Sequence, residues 1–195
     1  MAHKNNRITL ERNLRVAEKN QLLVSKIKRA KEAMVKDFLG LKVTQEIIGG
    51  PHTTNISGTL GGYGNLFSFI GFNEGEQPIN PIITLLNQTT FRITQMNTRG
   101  SFKVIIEIPS AEDIFAVTPL PWAAGISWAK RIEVGMSGLG MYLNTPSDYS
   151  RSGGGIQTDK KIRGGRFSNT RYITWFLKEW QKKFLRIDKS IKLAA

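Results

Sequence analysis

The sequence predicts an α+β protein: a long N-terminal helix, a small and mainly antiparallel sheet with short helices, and an amphipathic C-terminal helix. Three observations carry that prediction. Leu23, Ile27, Ala30, Met34 and Phe38 recur at steps of three and four, the period of a helix with one apolar face. Ile173, Phe176, Leu177, Trp180 and Phe184 repeat the pattern near the C-terminus, with Lys178, Lys182, Lys183 and Arg186 outside it. Between them, residues 89–96 and 101–108 flank Asn97-Thr98-Arg99-Gly100, a polar turn ending in glycine that marks a hairpin. Helix, strand, short helix, hairpin, helices and terminal helix in that order describe an α+β chain.

Each element has its local reason. Thr9 is a suitable N-cap and Gly40 a suitable C′ residue for one helix over residues 10–39. Such a helix is about 45 Å long, and it either reaches a neighbouring subunit or lies along its own sheet. Residues 49–64 form a glycine- and hydroxyl-rich loop, and Leu66–Phe72, apolar on both faces, reads as a central strand. Asn80 caps a short helix with Pro81 in its first position. Ser110-Ala-Glu-Asp113 resembles a capping box for a second short helix, ended by Pro119 and Pro121. Trp122–Val134 becomes helical after an irregular start, and Gly135–Gly140 interrupts it. Residues 147–165 are expected to be a mobile basic loop, the last helix to begin at Ser168 or Asn169, and Ile187–Ala195 to fray. The expected organisation is a basic helical arm (1–42), a single α+β domain (43–187) and a short tail (188–195).

A chain of 195 residues buries enough surface to fold without a metal or disulfide staple. Cysteine is absent, which excludes disulfides, thiolate zinc sites, iron–sulfur clusters and a cysteine nucleophile. No apolar run approaches the length of a membrane span, and the polar, basic start lacks the apolar core of a secretory signal. Charge is the strongest compositional signal: 28 Lys and Arg against 15 Asp and Glu. It is uneven, net +7 over residues 1–42, −3 over 43–150 and +9 over 151–195. Two basic arms around a slightly acidic body suit contact with nucleic acid or an acidic protein, or are simply solvated helix faces.

Catalytic chemistry is hard to assemble. His3 and His52 are the only histidines, neither with a carboxylate at useful spacing. The pairs Glu74/Glu76 and Glu112/Asp113 are explained by a turn and by a helix dipole. Gly58-Thr-Leu-Gly61-Gly62-Tyr-Gly64 lacks the Lys-Ser/Thr of a phosphate loop and is expected to precede a strand, where phosphate cradling needs a helix N-terminus. Gly135-Met-Ser-Gly138-Leu-Gly140 has the wrong spacing for dinucleotide binding. No enzyme activity, cofactor or metal is expected. Aromatic and basic residues interleave in Arg171–Phe184, which suits base stacking; Phe176, Trp180 and Phe184 belong to the core stripe, while Tyr172 and Trp175 lie at its margin and suit a protein interface.

Three segments stand in a familiar order. They are Asn55-Ile-Ser-Gly-Thr-Leu60 before an apolar strand, Trp122-Ala123 with Ile132-Glu-Val-Gly135, and Arg166-Phe167 leading to the last helix. Over about residues 50–185 the chain resembles the tail-completion, or neck, proteins of tailed bacteriophages. The long basic N-terminal helix and the longer Trp122–Trp128 segment depart from that pattern. The resemblance implies a homo-oligomeric ring, hexameric or dodecameric, at the head–tail junction of the virion. It would assemble in the host cytoplasm with connector or tail-terminator proteins, contacting DNA only weakly and without sequence preference. Candidate interface residues are Leu23, Ile27 and Met34 on the first helix, Trp122, Trp128 and Trp175, and Arg151, Lys160, Lys161, Arg163 and Arg166 in a loop that would order on docking. The 96–100 hairpin tip is a further candidate. The alternatives are a basic nucleic-acid-binding protein without enzymatic activity and, more remotely, an enzyme whose site the sequence does not pair.

Overall fold

The protein is mixed α+β. The computed structural model describes residues 6–13, 17–61, 64–95, 101–135, 142–143, 156–157 and 167–187. The chain folds into two compact units that interleave in sequence, one from Met1–Phe38, Ile83–Asp113 and Thr174–Ala195, the other from Leu39–Ile82 and Ile114–Ile173.

In the first unit, β1 (Asn6–Asn13), β2 (Thr90–Gln95) and β3 (Ser101–Ile108) form an antiparallel sheet in the order β1-β3-β2. The hairpin expected from the sequence is present, with Thr90 opposite Glu107 and Gln95 opposite Phe102; its turn lies outside the described residues. Arg92 Nη2 reaches Glu107 Oε1 across the pair at 3.3 Å. The sheet's third strand corrects the sequence reading. Residues 6–13, assigned in part to the first helix, pair along β3 from Asn6–Ile108 to Asn13–Ser101. Arg7-Ile-Thr-Leu-Glu-Arg12 alternates in polarity, the two-residue period of a strand, and pairing with β3 decides the outcome.

Helix α1 therefore spans Ala17–Leu39, about 35 Å, and stops before Gly40 as expected. Leu23, Ile27, Met34 and Phe38 are all buried. Phe38 packs on Phe176 of α7 (Ile173–Ile187) with ring centroids 5.4 Å apart. Lys183 of α7 donates to Asp37 Oδ2 at 2.6 Å and lies 4.3 Å from the Trp180 ring centroid. The stripe on α1 thus faces its own chain, and Leu23, Ile27 and Met34 are core residues rather than a subunit contact.

The capping box is present. Ser110 N and Oγ donate to Asp113 Oδ2 at 2.8 and 2.7 Å, and Asp113 N donates back to Ser110 Oγ at 3.1 Å. It opens α5 (Ala111–Ala116). Asp113→Ala is expected to cost about 1 kcal/mol, measured as a lower urea midpoint; an unchanged midpoint would show the box to be dispensable.

The second unit departs further from expectation. Helix α2 (Lys42–Ile48) has no counterpart in the sequence reading. Leu66–Phe72 is not a strand: Leu66–Ile70 is the short helix α3. Asn65 Oδ1 caps it by accepting from Ser68 N at 2.9 Å, and Gly71, at φ 95°, ends it in the left-handed region that glycine enters freely. A short apolar run does not distinguish helix from strand by period; its caps do. Helix α4 (Asn80–Asn87) forms as expected. Residues 119–134 hold a small hairpin, β4 (Pro119–Leu120) with β5 (Ala123–Ser127), before α6 (Trp128–Val134). Ser127 Oγ caps α6 by accepting from Lys130 N at 3.0 Å. Tyr142–Leu143 (β6) pairs with Ile156–Gln157 (β7). The last helix starts at Ile173, later than Ser168 or Asn169, because the preceding residues bond elsewhere.

Candidate functional site

Chemistry in the second unit begins with a buried carboxylate that the sequence reading missed. Glu46 is fully buried on α2. Its Oε2 accepts from Ser57 N and its Oε1 from Leu66 N, both at 2.7 Å. Residues 57 and 66 bracket the second half of the glycine-rich loop, so one side chain ties both of its ends to α2. A signal was present: Glu46 lies three residues after Val43 and beside Ile47, on the buried face of the helix. Gly49 permits the same loop's close turn, since a Cβ there would collide with the Thr53 side chain.

This carboxylate also corrects the reason for excluding a phosphate site. The loop does precede a helix N-terminus, but the N–H groups there are already committed, Leu66 N to Glu46 and Ser68 N to Asn65. An anion of the chain itself occupies the position that a phosphate would take.

The three segments that carry the family resemblance meet in this unit. Thr59 is buried, and its carbonyl accepts from Ser168 N at 2.8 Å. The Ile132 carbonyl of α6 accepts from Thr170 N at 3.1 Å. Phe167 stacks on Phe69 with centroids 5.8 Å apart and planes at 17°. The stretch from Phe167 to Tyr172 is thus held as irregular chain by the glycine-rich loop and α6, which is why it is not helical.

Below it lies an aromatic cluster. Trp128 is 1% exposed, edge-on to Phe72 at 5.8 Å and 6.3 Å from Tyr172. The Tyr172 hydroxyl shares a 2.9 Å hydrogen bond with Thr44 Oγ1. Burial, opposed by that bond and reinforced by Glu133, pushes its ionisation above the ordinary 10.0. The unfolded chain therefore gives up this proton first. Stability from the buried phenol is full below pH 10 and falls as pH rises above it. An ultraviolet pH titration is expected to leave this one phenol un-ionised until the protein unfolds; Tyr172→Phe should abolish the late step, and an early titration would contradict its burial.

Beside the cluster the second unit carries a groove of about 840 Å³. Pro78, Pro81, Pro119 and Pro121, with Phe72, Val117, Leu120 and Trp122, supply its apolar walls, and Asn73, Glu76 and Gln77 its polar lining. The Trp122 indole N–H donates to the Ile70 carbonyl at 2.8 Å, which fixes the ring as a wall. Glu76 Oε1 accepts from Asn73 Nδ2 at 2.7 Å.

Protein-family models, curated proteins and solved structures were all compared with this chain, and none matches.

The sequence candidates divide accordingly. Trp122 and Trp128 both line the groove; Trp122 keeps an exposed part, whereas Trp128 is almost wholly buried and packs chiefly as a core residue. Trp175, in the first unit, is 41% exposed; Tyr172 is buried, so the expected margin pair is not a pair. Arg151, Lys160, Lys161, Arg163 and Arg166 lie outside the described residues, as does the 96–100 tip. His52 does meet a carboxylate, Glu74 Oε1 at 3.7 Å, and both side chains are largely solvent-exposed. Among the described residues no group of three or more His, Asp or Glu could hold a metal ion. No described helix is long and apolar enough to cross a membrane.

Proposed function

We propose that this chain is a non-enzymatic structural protein of a tailed-phage virion, forming a ring at the head–tail junction as a neck or tail-completion component. The supporting observation is the meeting of the three resemblance segments. Residues 59 and 132, distant in sequence, accept main-chain hydrogen bonds from residues 168 and 170, beside the stacked ring of Phe167. Motifs joined through main-chain bonds and stacked rings preserve a shape, and a preserved shape is what a repeated subunit contact needs. Ring closure also needs two different surfaces on each copy. The proline-walled groove is one such surface, and the basic segments are the natural source of the other. The ring would surround the DNA channel and join connector to tail.

The test is the copy number of this chain in density-purified particles, measured by quantitative mass spectrometry against the major capsid protein. A fixed number of about six or twelve is expected for a closed ring. Absence from the particles would overturn the reading.

One observation favours a second reading, a basic nucleic-acid-binding protein. On α7 the exposed Trp175 shares a helix face with exposed Lys178, Lys182 and Arg186. Lys182 also donates to Glu179 at 2.7 Å, and that bond leads the causes that hold the Glu179 carboxyl below its ordinary range. Phosphate binding through this face would weaken steeply between about 50 and 200 mM salt, and Trp175→Ala would weaken single-strand binding further. Subunit contacts through apolar anchors should persist across that range.

A further inference from the structure

We infer that the groove of the second unit receives a basic segment from a second copy of this chain, with Lys160-Lys161-Ile162-Arg163 as the segment it fits. This rests on the ring reading and names the contact that would close the ring. Proline at 78, 81, 119 and 121 removes four main-chain donors, and the Trp122 indole N–H is taken by Ile70. Recognition there runs through apolar surface and through the carboxylate of Glu76, with Glu74 two residues away and largely exposed.

Among the described residues no lysine or arginine lines the groove, in a chain whose net charge is +13. An occupant that suits it has an aliphatic anchor flanked by cations. Ile162 stands between Lys161 and Arg163, with Lys160 before and Arg166 after. At about 840 Å³ the groove is within the range of ligand-sized sites and has room for the isoleucine and the stems of its neighbours. A groove on one copy and a basic segment on the next form a heterologous contact, the kind that generates rings.

The absence of cysteine makes a direct test available. Ala124→Cys, at an exposed position lining the groove, is mixed with Ile162→Cys under mild oxidation after sedimentation has established the oligomer. A disulfide-linked dimer in the mixture, exceeding that of either variant alone, is the expected result. Glu76→Lys should lower its yield about fivefold, as one partly exposed ion pair allows, and adding Lys161→Glu should restore it. An oligomer without this cross-link overturns the inference and leaves the ring reading to the particle copy number. In a chain carrying both Ala124→Cys and Ile162→Cys, a cross-link confined within single chains overturns it as well, by making the segment a cover for its own groove. A chain that stays monomeric at all concentrations and gives no cross-link overturns it too.

Discussion

Trp128→Ala is expected to lower the melting temperature by about 6–20 °C. The indole is 1% exposed and touches the rings of both Phe72 and Tyr172. Truncating a buried tryptophan costs about 3–5 kcal/mol through lost transfer energy and a residual cavity. A chain of this length loses about 2–4 °C per kcal/mol. The backbone around it stays anchored, because Trp128 N donates to the Thr118 carbonyl at 2.8 Å and Ser127 still caps the helix. The loss should therefore appear as reduced stability of a native fold. Trp122→Ala is the contrast: its ring is half-buried on the groove, so about 1–2 kcal/mol is expected from one hydrogen bond and partial burial. Calorimetry of both variants decides it. Equal losses would mean that the two tryptophans are not divided between core and groove wall.

Glu46→Ala should cost about 3–6 kcal/mol, because hydrogen bonds to a charged group contribute about 1.5–3 kcal/mol each and two main-chain N–H groups lose their acceptor together. Glu46→Gln keeps one acceptor oxygen but turns an amide N–H₂ toward the other N–H, so an intermediate loss of about 2–3 kcal/mol is expected. Urea unfolding measures the magnitude. Hydrogen exchange supplies the location: the amides of Ser57 and Leu66 should lose protection ahead of those in β3. If both amides stay protected in Glu46→Ala, the loop is held by its other contacts, among them Thr59 with Ser168 and Asn65 with the Pro51 carbonyl at 2.8 Å.

The elements legible in the sequence are those whose information is local. The stripes Leu23–Phe38 and Ile173–Phe184 carry the helical period within themselves. The hairpin of β2 and β3 is announced by its turn, and the Ser110–Asp113 box by two side chains three residues apart. Asn80-Pro81 and Gly40 mark helix ends by the conformations they allow. These features follow from backbone geometry over a few residues, so the α+β class could be read before any contact was known.

What only the tertiary structure decided depends on partners far away in sequence. Residues 6–13 are a strand because β3 offers them a register about ninety-five residues downstream. Residues 167–172 stay outside the last helix because the Thr59 and Ile132 carbonyls take the N–H groups of Ser168 and Thr170. The α1 stripe could have faced a neighbour or its own chain, and packing against α7 settled it. Glu46 reads as an ordinary helix charge until its two N–H partners are in place. The groove likewise exists only once Pro78, Pro119 and Trp122 are brought together. A local pattern states that a face is apolar or that a backbone group needs a partner; it does not say which distant group will meet it, and that choice is made by the folded chain.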